Sequence, residues 1–266
     1  MHKNIAILGG GNLGQAIALG LVSTGEYQPE NVVVTRRKLH GLEVLEKKGI
    51  RLTTNNAQAV QEANLILLCV QPRQLPDLLH EIKAFLSADR HVLVSTITGV
   101  KISEIEAIVG EQFPIVRAMP NTAIAIRESM TTIAAKNTAQ EKLQQVQAIF
   151  DIMGQTLIID EELMAAATVL GASGIAFCLR YIRAAAQGGI QMGFHAEEAQ
   201  AIAVQTCRGA ASLLLQEGNH PEMEIDKVTT PQGCTIAGLN EMEHNGLSSA
   251  VIKGIVASFE RIANIK

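Results

Sequence analysis

The sequence predicts an α/β domain with a doubly wound, Rossmann-type sheet over residues 1–160, followed by an all-helical domain over residues 161–266. Three observations support this prediction. Strand-like and helix-like segments alternate up to about residue 160, a glycine-rich turn follows the first strand-like segment, and the chain after Asp160 has helical periodicity. The length of 266 residues suits two domains of ordinary size.

The glycine-rich turn, Gly9-Gly10-Gly11-Asn12-Leu13-Gly14, lies between the apolar run Ile5–Leu8 and an apolar helix. This strand–turn–helix pattern with Gly-x-Gly-x-x-Gly spacing is typical of dinucleotide binding. Gly9 permits the tight turn, Gly11 lets a pyrophosphate approach the backbone, and Gly14 lets the helix pack against the strand. The free N–H groups of the helix would face the phosphates. The alternative is a glycine-rich turn that binds no ligand.

The second predicted strand, Asn31–Thr35, completes a βαβ unit and is followed by Arg36-Arg37-Lys38. Sites that prefer NAD usually place an acidic residue here, where it binds the ribose 2′-hydroxyl. Two guanidinium groups suit a 2′-phosphate instead. The sequence therefore favours NADP(H), with NAD(H) as a second cofactor, over the alternative of a solvated basic turn.

The other elements of the first domain follow from periodicity and from turn residues. Helices are predicted at 39–48, 56–62, 75–86, 102–109 and 139–152, and strands at 50–53, 64–70, 91–96, 114–118, 130–135 and 155–159. The continuous apolar run at 64–70 is typical of a central parallel strand with both faces covered. It ends at Gln71-Pro72-Arg73, at the carboxyl end of a strand, where such sheets bind ligands.

The second domain is rich in alanine, and helices are predicted at 163–170, 173–192, 196–216, 235–245 and 248–263. Several are apolar over most of their surface, for example Ala199–Val204. Such helices are buried within their own domain or against another subunit. We therefore expect a dimerisation domain that forms a homo-oligomer interface, the alternative being a filled monomer core.

Composition argues against several classes of function. The formal net charge is −4 and the chain has no Trp, which disfavours a nucleic-acid surface. The longest apolar runs are strand-sized, below the ~18 residues that span a bilayer. Met1-His2-Lys3-Asn4 leads directly into the first strand and the four cysteines are scattered, so we expect a cytoplasmic protein with reduced thiols. The seven histidines lack ligand spacing, and no metal site is predicted.

Four further stretches, together with the glycine turn, carry a family resemblance: Arg117–Thr122, Gln205–Ala211, His220-Pro221 and Asp226–Leu239. From about residue 4 to residue 262 the chain resembles the pyrroline-5-carboxylate reductase family. The most specific part is the Val-Thr-x-Pro-x-Gly-x-Thr-x-x-Gly-Leu element that begins at Val228. The resemblance implies an oxidoreductase that transfers a hydride from NAD(P)H to the cyclic imine Δ1-pyrroline-5-carboxylate and forms L-proline, the last step of proline biosynthesis. It also implies a homodimer as the minimal unit.

The resemblance also implies which residues form the cofactor site. The glycine turn holds the pyrophosphate through Gly9, Gly11, Asn12, Leu13 and Gly14. Near the ribose 2′ position lie Thr35, Arg36 and Arg37, and the adenosine side is contacted by Asn56. At the sheet edge the cofactor is lined by Val70, Gln71 and Pro72, and its nicotinamide lies beside Met119, Pro120 and Asn121.

The turn before the fourth helix of the second domain is the candidate substrate site. Gly233 would expose backbone N–H groups that can hold a carboxylate, and a threonine hydroxyl such as that of Thr235 can bind a ring nitrogen. The alternative for Thr235 is a helix N-cap without a ligand. The resemblance implies that Cys234 and Thr235 meet the substrate, that Glu161 lies near it, and that Thr235 is the catalytic residue, which steers the imine and relays a proton.

The chain departs from the family pattern at several positions. Gln71 stands where the family usually has Lys, which removes a cation near the cofactor. Gly171-Ala172 replaces a serine-containing segment, and Gln232 and Cys234 replace smaller residues. Two alternatives therefore stay open: a non-catalytic regulatory paralogue that binds NADP(H), and a related β-hydroxyacid dehydrogenase or imine reductase. The lack of a lysine in Leu163–Arg180 counts against a β-hydroxyacid dehydrogenase.

Overall fold

The computed structural model describes residues 4–136 and 138–262. Contacts divide the chain into two units, the first comprising the described residues up to Ser173 and those from Ser258, and the second comprising Gly174–Ala257. The boundary predicted after residue 160 follows the end of the last strand, at Ile158. The terminal residues of both predicted domains, 1–3 and 263–266, lie outside the described residues, as does the predicted end of the last helix at Ala263.

Within the described residues, eight strands form one sheet in the order β3-β2-β1-β4-β5-β6-β7-β8. The first six strands of the chain run parallel, β7 is antiparallel to β6, and β8 is parallel to β7. The strands are Ile5–Leu8 (β1), Val32–Thr35 (β2), Arg51–Thr53 (β3), Leu65–Leu68 (β4), Val92–Ser95 (β5), Ile115–Met119 (β6), Ser129–Ala135 (β7) and Gly154–Ile158 (β8).

Helices cover both faces of this sheet, which confirms the predicted doubly wound domain. They are Asn12–Ser23 (α1), Glu43–Lys47 (α2), Asn56–Glu62 (α3), Leu75–Ile82 (α4), Ile102–Val109 (α5) and Gln140–Asp151 (α6). Because side chains alternate along a strand, Ile5 and Ile7 pack with α1, α2 and α6, whereas Ala6 and Leu8 pack with α3, α4 and α5. Each fully buried Leu or Ile contributes roughly 1.5–3 kcal/mol through the hydrophobic effect.

Two predicted helices of this unit are shorter than the sequence suggested. The helix predicted at 39–48 begins only at Glu43, because Gly41 has a φ of +85° and interrupts the helical turn before it. The helix predicted at 75–86 ends at Ile82 and continues as a 3-10 turn, Lys83–Phe85. Neither difference from the predicted helix bounds involves a residue of the candidate site.

The chain that follows β8 is helical, as predicted. A 3-10 turn, Glu161–Leu163, leads into Met164–Ala167 (α7), and a π-helical stretch, Thr168–Ser173, precedes the second unit. The further helices are Gly174–Gln191 (α8), Ala196–Glu217 (α9), Pro221–Val228 (α10), Cys234–His244 (α11) and Leu247–Ile262 (α12). The sequence reading missed α10, although Pro at its first position is typical of a helix start.

Small residues hold α8 and α9 together in the second unit. Ala186, Ala199 and Ala203 are buried together at their contact. A Cβ placed on Gly189 would lie 2.9 Å from the Cβ of Ala199, so the two helices approach too closely for a larger side chain there. By contrast, many large apolar side chains of this unit are exposed, among them Leu179, Tyr181, Ile202, Leu213, Leu215 and Ile252.

The helical segment Glu161–Gln191 corrects one prediction from the sequence. That prediction held that no apolar stretch is long enough to span a bilayer, and by length and composition it is wrong. The segment has 31 residues. An 18-residue window within it has a mean hydropathy of 1.7, and 17% of that window is buried. Scanning for unbroken apolar runs missed it because small residues separate the large ones. Apolar helices at subunit interfaces have the same composition, so these two properties alone do not identify a membrane span.

Candidate active site

The candidate cofactor residues lie at one edge of the sheet. Because β1 to β6 are parallel, their carboxyl ends meet at the same edge, where sheets of this kind bind ligands. The strand order reverses between the neighbours β1 and β4, the point at which such sheets place a dinucleotide. The segments that follow these ends are Gly9–Gly14, Arg36-Arg37, Asn56, Val70–Pro72 and Pro120-Asn121.

Two glycines of the turn after β1 are fixed by close contacts. Gly9 has a φ of +121°, and a Cβ placed on it would lie 2.4 Å from the carbonyl oxygen of Cys69. A Cβ on Gly14 would lie 2.1 Å from the carbonyl oxygen of Gly9. No side chain fits at either position without moving the backbone. These two glycines therefore shape the turn.

Gly11 has a different environment, which fits a bound pyrophosphate. A Cβ placed on Gly11 would meet nothing within 4 Å. Packing within the chain therefore does not explain why this position has no side chain. Gly11 is the N-cap of α1, no side chain caps the helix, and its first turn contains no acidic residue. The first N–H groups of a helix lack partners within it, and here Asn12, Leu13 and Gly14 present them to an open space suited to an anion.

Thr35 connects the glycine turn to Asn56. Its carbonyl oxygen accepts hydrogen bonds from the N–H groups of Gly9 (3.2 Å) and Gly10 (2.8 Å). Its hydroxyl donates to Oδ1 of Asn56 at 2.6 Å. The Nδ2 of Asn56 in turn donates to the carboxylate of Glu81, at 3.0 Å from Oε2. The structure thus brings Thr35 and Asn56 together, and adds Glu81, which the sequence reading missed.

Arg36 and Arg37 follow β2 and are exposed. The N–H of Arg36 donates to the carbonyl oxygen of Thr53 (3.2 Å), which fixes the backbone where β2 ends. Its Nη1 donates to the carbonyl oxygen of His40 (3.1 Å). Both residues thus lie at the carboxyl edge of the sheet, directly after β2.

The loop after β4 retains a positive charge. The Val70 side chain lies next to Gly9, with its Cγ1 3.1 Å from the position of a Cβ on that glycine. The Nε of Arg73 donates to Oε1 of Gln71 at 3.1 Å, and Pro72 begins a 3-10 turn. A guanidinium group therefore lies beside Gln71 in this loop, and the expectation that the Gln71 departure removes a cation near the cofactor stays a prediction.

The loop after β6 is held by hydrogen bonds within the first unit. Met119 and Pro120 are buried. Asn121 caps the following 3-10 turn: its Oδ1 accepts from the N–H of Ala123 (3.0 Å), and its Nδ2 donates to the carbonyl oxygen of Gly171 (3.2 Å). The side chain of Asn121 therefore orders the loop, and contact of this loop with a nicotinamide stays a prediction.

Arg117 and Glu161 form a buried ion pair. Arg117 in β6 is 5% exposed, and its Nη1 lies 3.1 Å from Oε1 of Glu161. The same oxygen accepts from the N–H of Ile102, the first residue of α5, at 2.7 Å. Burial lowers the pKa of Arg117 below its ordinary value, and the hydrogen bond and opposing charge of Glu161 offset only part of this effect. Glu161 thus joins β6 to α5 within the first unit, and its predicted substrate contact stays a prediction.

The candidate substrate turn has a strained backbone. Gln232 has a φ of +61°, a conformation that favours glycine. A Cβ on Gly233 would lie 2.5 Å from Oγ1 of Thr230, so a larger residue would not fit at position 233 unless Thr230 moved. Strained residues often occur at functional sites, where the surrounding structure holds them in place.

Thr235 is the second residue of α11, and its hydroxyl is not the N-cap. The N-cap is Gly233, and no side chain makes a capping hydrogen bond to this helix. The alternative of Thr235 as an N-cap is therefore wrong. Cys234 and Thr235 are both exposed, so the hydroxyl and the first N–H groups of α11 are available to a ligand.

Family models match most of the chain. Residues 161–265 match the model described as pyrroline-5-carboxylate reductase dimerisation. Residues 4–99 match the model described as NADP oxidoreductase coenzyme F420-dependent. The two matches thus assign a nicotinamide-cofactor domain and a dimerisation domain to separate parts of the chain.

Similar proteins carry consistent names. The chain is 47% identical to pyrroline-5-carboxylate reductase 1 of Dictyostelium discoideum over 99% of its own length but only 50% of that protein's. It is also 47% identical to pyrroline-5-carboxylate reductase 2 of the same organism, over 98% of its own length and 92% of that protein's. A crystal structure of Plasmodium falciparum pyrroline carboxylate reductase with NADP bound has the same fold, with a TM-score of 0.90, 23% identity and coverage of 99% and 98% of the two chains.

Proposed function

The chain belongs to the pyrroline-5-carboxylate reductase family, oxidoreductases that reduce Δ1-pyrroline-5-carboxylate to L-proline in proline biosynthesis, and we propose that it carries out this reduction with NADPH as the preferred cofactor. NADH is proposed as the weaker alternative. The observation that supports the cofactor site most strongly is the open space at Gly11, in front of the N-terminus of α1. A glycine there is explained by a ligand and not by packing.

The residues at the carboxyl edge divide the binding of the cofactor among them. The N–H groups of α1 hold the pyrophosphate, and Arg36 and Arg37 hold the 2′-phosphate, since guanidinium groups bind phosphate with paired hydrogen bonds. Thr35 fixes Asn56 on the adenosine side. The loops at Val70–Pro72 and Met119–Asn121 line the rest of the site. The bound cofactor supplies the hydride for the imine carbon.

The protein needs few acids or bases for this reaction. A cyclic imine can arrive already protonated on nitrogen, so the protein has mainly to orient two flat rings and exclude water. The N–H groups of Cys234 and Thr235 are proposed to hold the substrate carboxylate, since the N–H of Gly233 already donates to the carbonyl oxygen of Thr230 at 2.9 Å. The hydroxyl of Thr235 is proposed to hydrogen-bond the ring nitrogen, which fixes the face of the imine and relays a proton.

Exposed apolar side chains support assembly. The second unit leaves many large apolar residues in solvent, including Leu179, Leu215 and Ile252, and single chains rarely expose so much apolar surface without a partner. We propose that a second copy of the chain covers them in a homodimer that acts in the cytoplasm. The dimerisation model over residues 161–265 supports this proposal.

An NADPH oxidation assay with Δ1-pyrroline-5-carboxylate tests the proposal. Turnover is expected for the wild-type chain, and binding of NADPH without turnover would favour the regulatory alternative. Thr235→Val keeps the shape of the side chain but removes its hydroxyl, and should lower kcat about 100-fold, a typical loss for a proton-transfer group. NADPH affinity should stay within about twofold because the change is outside the cofactor site.

Thr235→Ser is the matched control, since it retains the hydroxyl and should keep most of the activity. Wild-type kcat in Thr235→Val would remove Thr235 from the mechanism. A loss in Thr235→Ser as large as that in Thr235→Val would contradict a specific role of the hydroxyl, because the Ser variant retains it.

A further inference from the structure

Glu81 brings a carboxylate to the adenosine end of the proposed cofactor site. It lies near the end of α4, and its Oε2 and Oε1 are 3.0 Å and 3.2 Å from the Nδ2 of Asn56. The segment after β2, where this fold usually places an acidic residue, contains two arginines instead. A carboxylate is therefore present, but it comes from another helix.

Two hydrogen bonds connect this carboxylate to the end of β2. Asn56 receives a hydrogen bond on Oδ1 from the hydroxyl of Thr35. Thr35 is the last residue of β2, is 2% exposed, and binds the glycine turn through its carbonyl oxygen. In this fold the end of β2 is where the ribose 2′ group is bound. Glu81 therefore lies close to the point at which NADPH and NADH differ.

The hydrogen bonds also fix the orientation of the Asn56 amide. Its oxygen faces the donor Thr35, and one of its two N–H groups faces the acceptor Glu81, so a flipped amide would lose both contacts. Glu81 is exposed, so water partly screens its charge, and its effect on a ligand is a matter of several-fold in affinity.

We propose that Glu81 is a specificity-determining residue whose negative charge lowers the affinity of this site for a 2′-phosphate. The inference rests on the proposed NADP(H) site. Arg36 and Arg37 attract the phosphate while Glu81 repels it, and the balance leaves NADH, which has a neutral 2′-hydroxyl, as a usable cofactor. The repulsion acts on NADPH alone, because only NADPH carries charge at that position.

Binding of each cofactor to the full-length protein tests the inference without any turnover. Glu81→Gln removes the charge but keeps an oxygen that can accept from Asn56. Its Kd for NADPH should fall about three- to tenfold at low ionic strength, whereas its Kd for NADH should stay within about twofold. The gain for NADPH should shrink at 0.5 M salt, since ions screen the repulsion, with a Debye length of only ~3–5 Å near that concentration.

Two further variants make the result specific. Glu30→Gln removes the same charge just before β2 begins, at the opposite edge of the sheet, and should change neither Kd. Glu81→Ala also frees the Asn56 amide, so both affinities should fall while the preference for NADPH over NADH still rises.

An unchanged ratio of the two Kd values in Glu81→Gln would overturn the inference, as would an equal change for both cofactors or the same shift in Glu30→Gln. Failure of the wild-type protein to bind either cofactor would instead overturn the proposed function, and this inference with it.

Discussion

Arg36 and Arg37 are the residues on which the cofactor preference depends most directly. Both follow β2 at the carboxyl edge of the sheet and are exposed. Replacing both with Ala should weaken NADPH binding about 10- to 100-fold, because hydrogen bonds to charged groups contribute about 1.5–3 kcal/mol. NADH binding should change by less than about threefold. Equilibrium titration with each cofactor measures both effects.

A double Ala replacement of Lys47 and Lys48 is the control for net charge, since these residues lie at the end of α2. It should leave both affinities unchanged at moderate salt, where distant charges are screened. Equal losses for NADPH and NADH in the arginine variant would contradict the assignment of Arg36 and Arg37 to the 2′-phosphate.

His91 makes stability depend on pH. It is 1% exposed, and burial, reinforced by the charge of Arg90, lowers its pKa below the ordinary 6.5. The unfolded chain therefore binds a proton near pH 6.5 that the folded chain does not, so stability is retained above that pH and lost as the pH falls below it. The urea midpoint should decrease between pH 7.5 and 5.5.

Replacing His91 with Gln should reduce this slope, which is at most ~1.4 kcal/mol per pH unit for one group. His40→Gln is the control, because the His40 side chain is 97% exposed and should leave the slope unchanged. An unaltered slope in His91→Gln would show that other groups cause the pH dependence.

At the scale of single residues, the sequence predicts the roles that depend only on residues nearby in the chain. Gly9 and Gly14 could be assigned because their roles depend on the turn in which they occur. The contacts of Arg73 with Gln71 and of Glu81 with Asn56 could not, because long flexible side chains adopt their positions only once the backbone is folded. Charged residues on exposed helix faces carry no sequence signal that distinguishes such a role.

The turn between β1 and α1 allows a test of cofactor binding at the scale of one element. Gly11→Ala places a methyl group in open space, so the melting temperature should stay within about 2 °C while the Kd for NADPH rises at least about tenfold. Gly14→Ala places the same group 2.1 Å from the carbonyl oxygen of Gly9. It should destabilise the protein by about 1–3 kcal/mol, the usual effect of overpacking.

Thermal unfolding and NADPH titration of both variants separate binding from packing. If Gly11→Ala retained full NADPH affinity, the turn would be a glycine-rich turn that binds no dinucleotide. The comparison is matched because the same methyl group is added in each variant, at positions three residues apart in the same strand–turn–helix unit.

Among the elements, helices with a clear apolar period were predicted better than those without one. α5 begins and ends where its pattern indicates, because its buried side chains recur with helical spacing. Helix α10 also has eight residues but was missed, because its charged residues leave too few apolar positions to show a period. The start of α11 was placed one residue late, because Gly233 caps this helix without a side chain.

At the scale of the whole molecule, exposed apolar residues predict association. Leu215 in α9 is 70% exposed and Ile252 in α12 is 61% exposed. A Glu at either position should shift the protein from a dimer or larger assembly toward monomer, because burying an unpaired charge in an interface costs several kcal/mol. Sedimentation velocity measures the change.

Val44→Glu is the matched control, because Val44 is a similarly exposed apolar residue, but it lies in α2 of the first unit. This variant should sediment as the wild type does. A wild-type chain that sediments as a monomer at micromolar concentration would contradict the proposed homodimer.

The alternation of strands and helices predicted the architecture of the first unit because its central strands are short apolar runs and the helices beside them bury apolar residues against the sheet. The reversed direction of β7 and β8 was not predicted. Direction depends on how the chain crosses from one strand to the next, and the short segments of β7 and β8 carry no signal for that path.

The glycine-rich turn Gly9–Gly14 and the Gly233–Thr235 turn are proposed to act on the same reaction. A crystal structure of the chain with NADPH and L-proline bound tests it most directly, through the distance from Oγ1 of Thr235 to the proline nitrogen. We expect this distance to be about 3 Å, in one subunit or across the dimer, with the proline ring against the nicotinamide. A Thr235 hydroxyl more than about 3.5 Å from the proline nitrogen in every subunit would contradict the proposed role of this turn in the reaction.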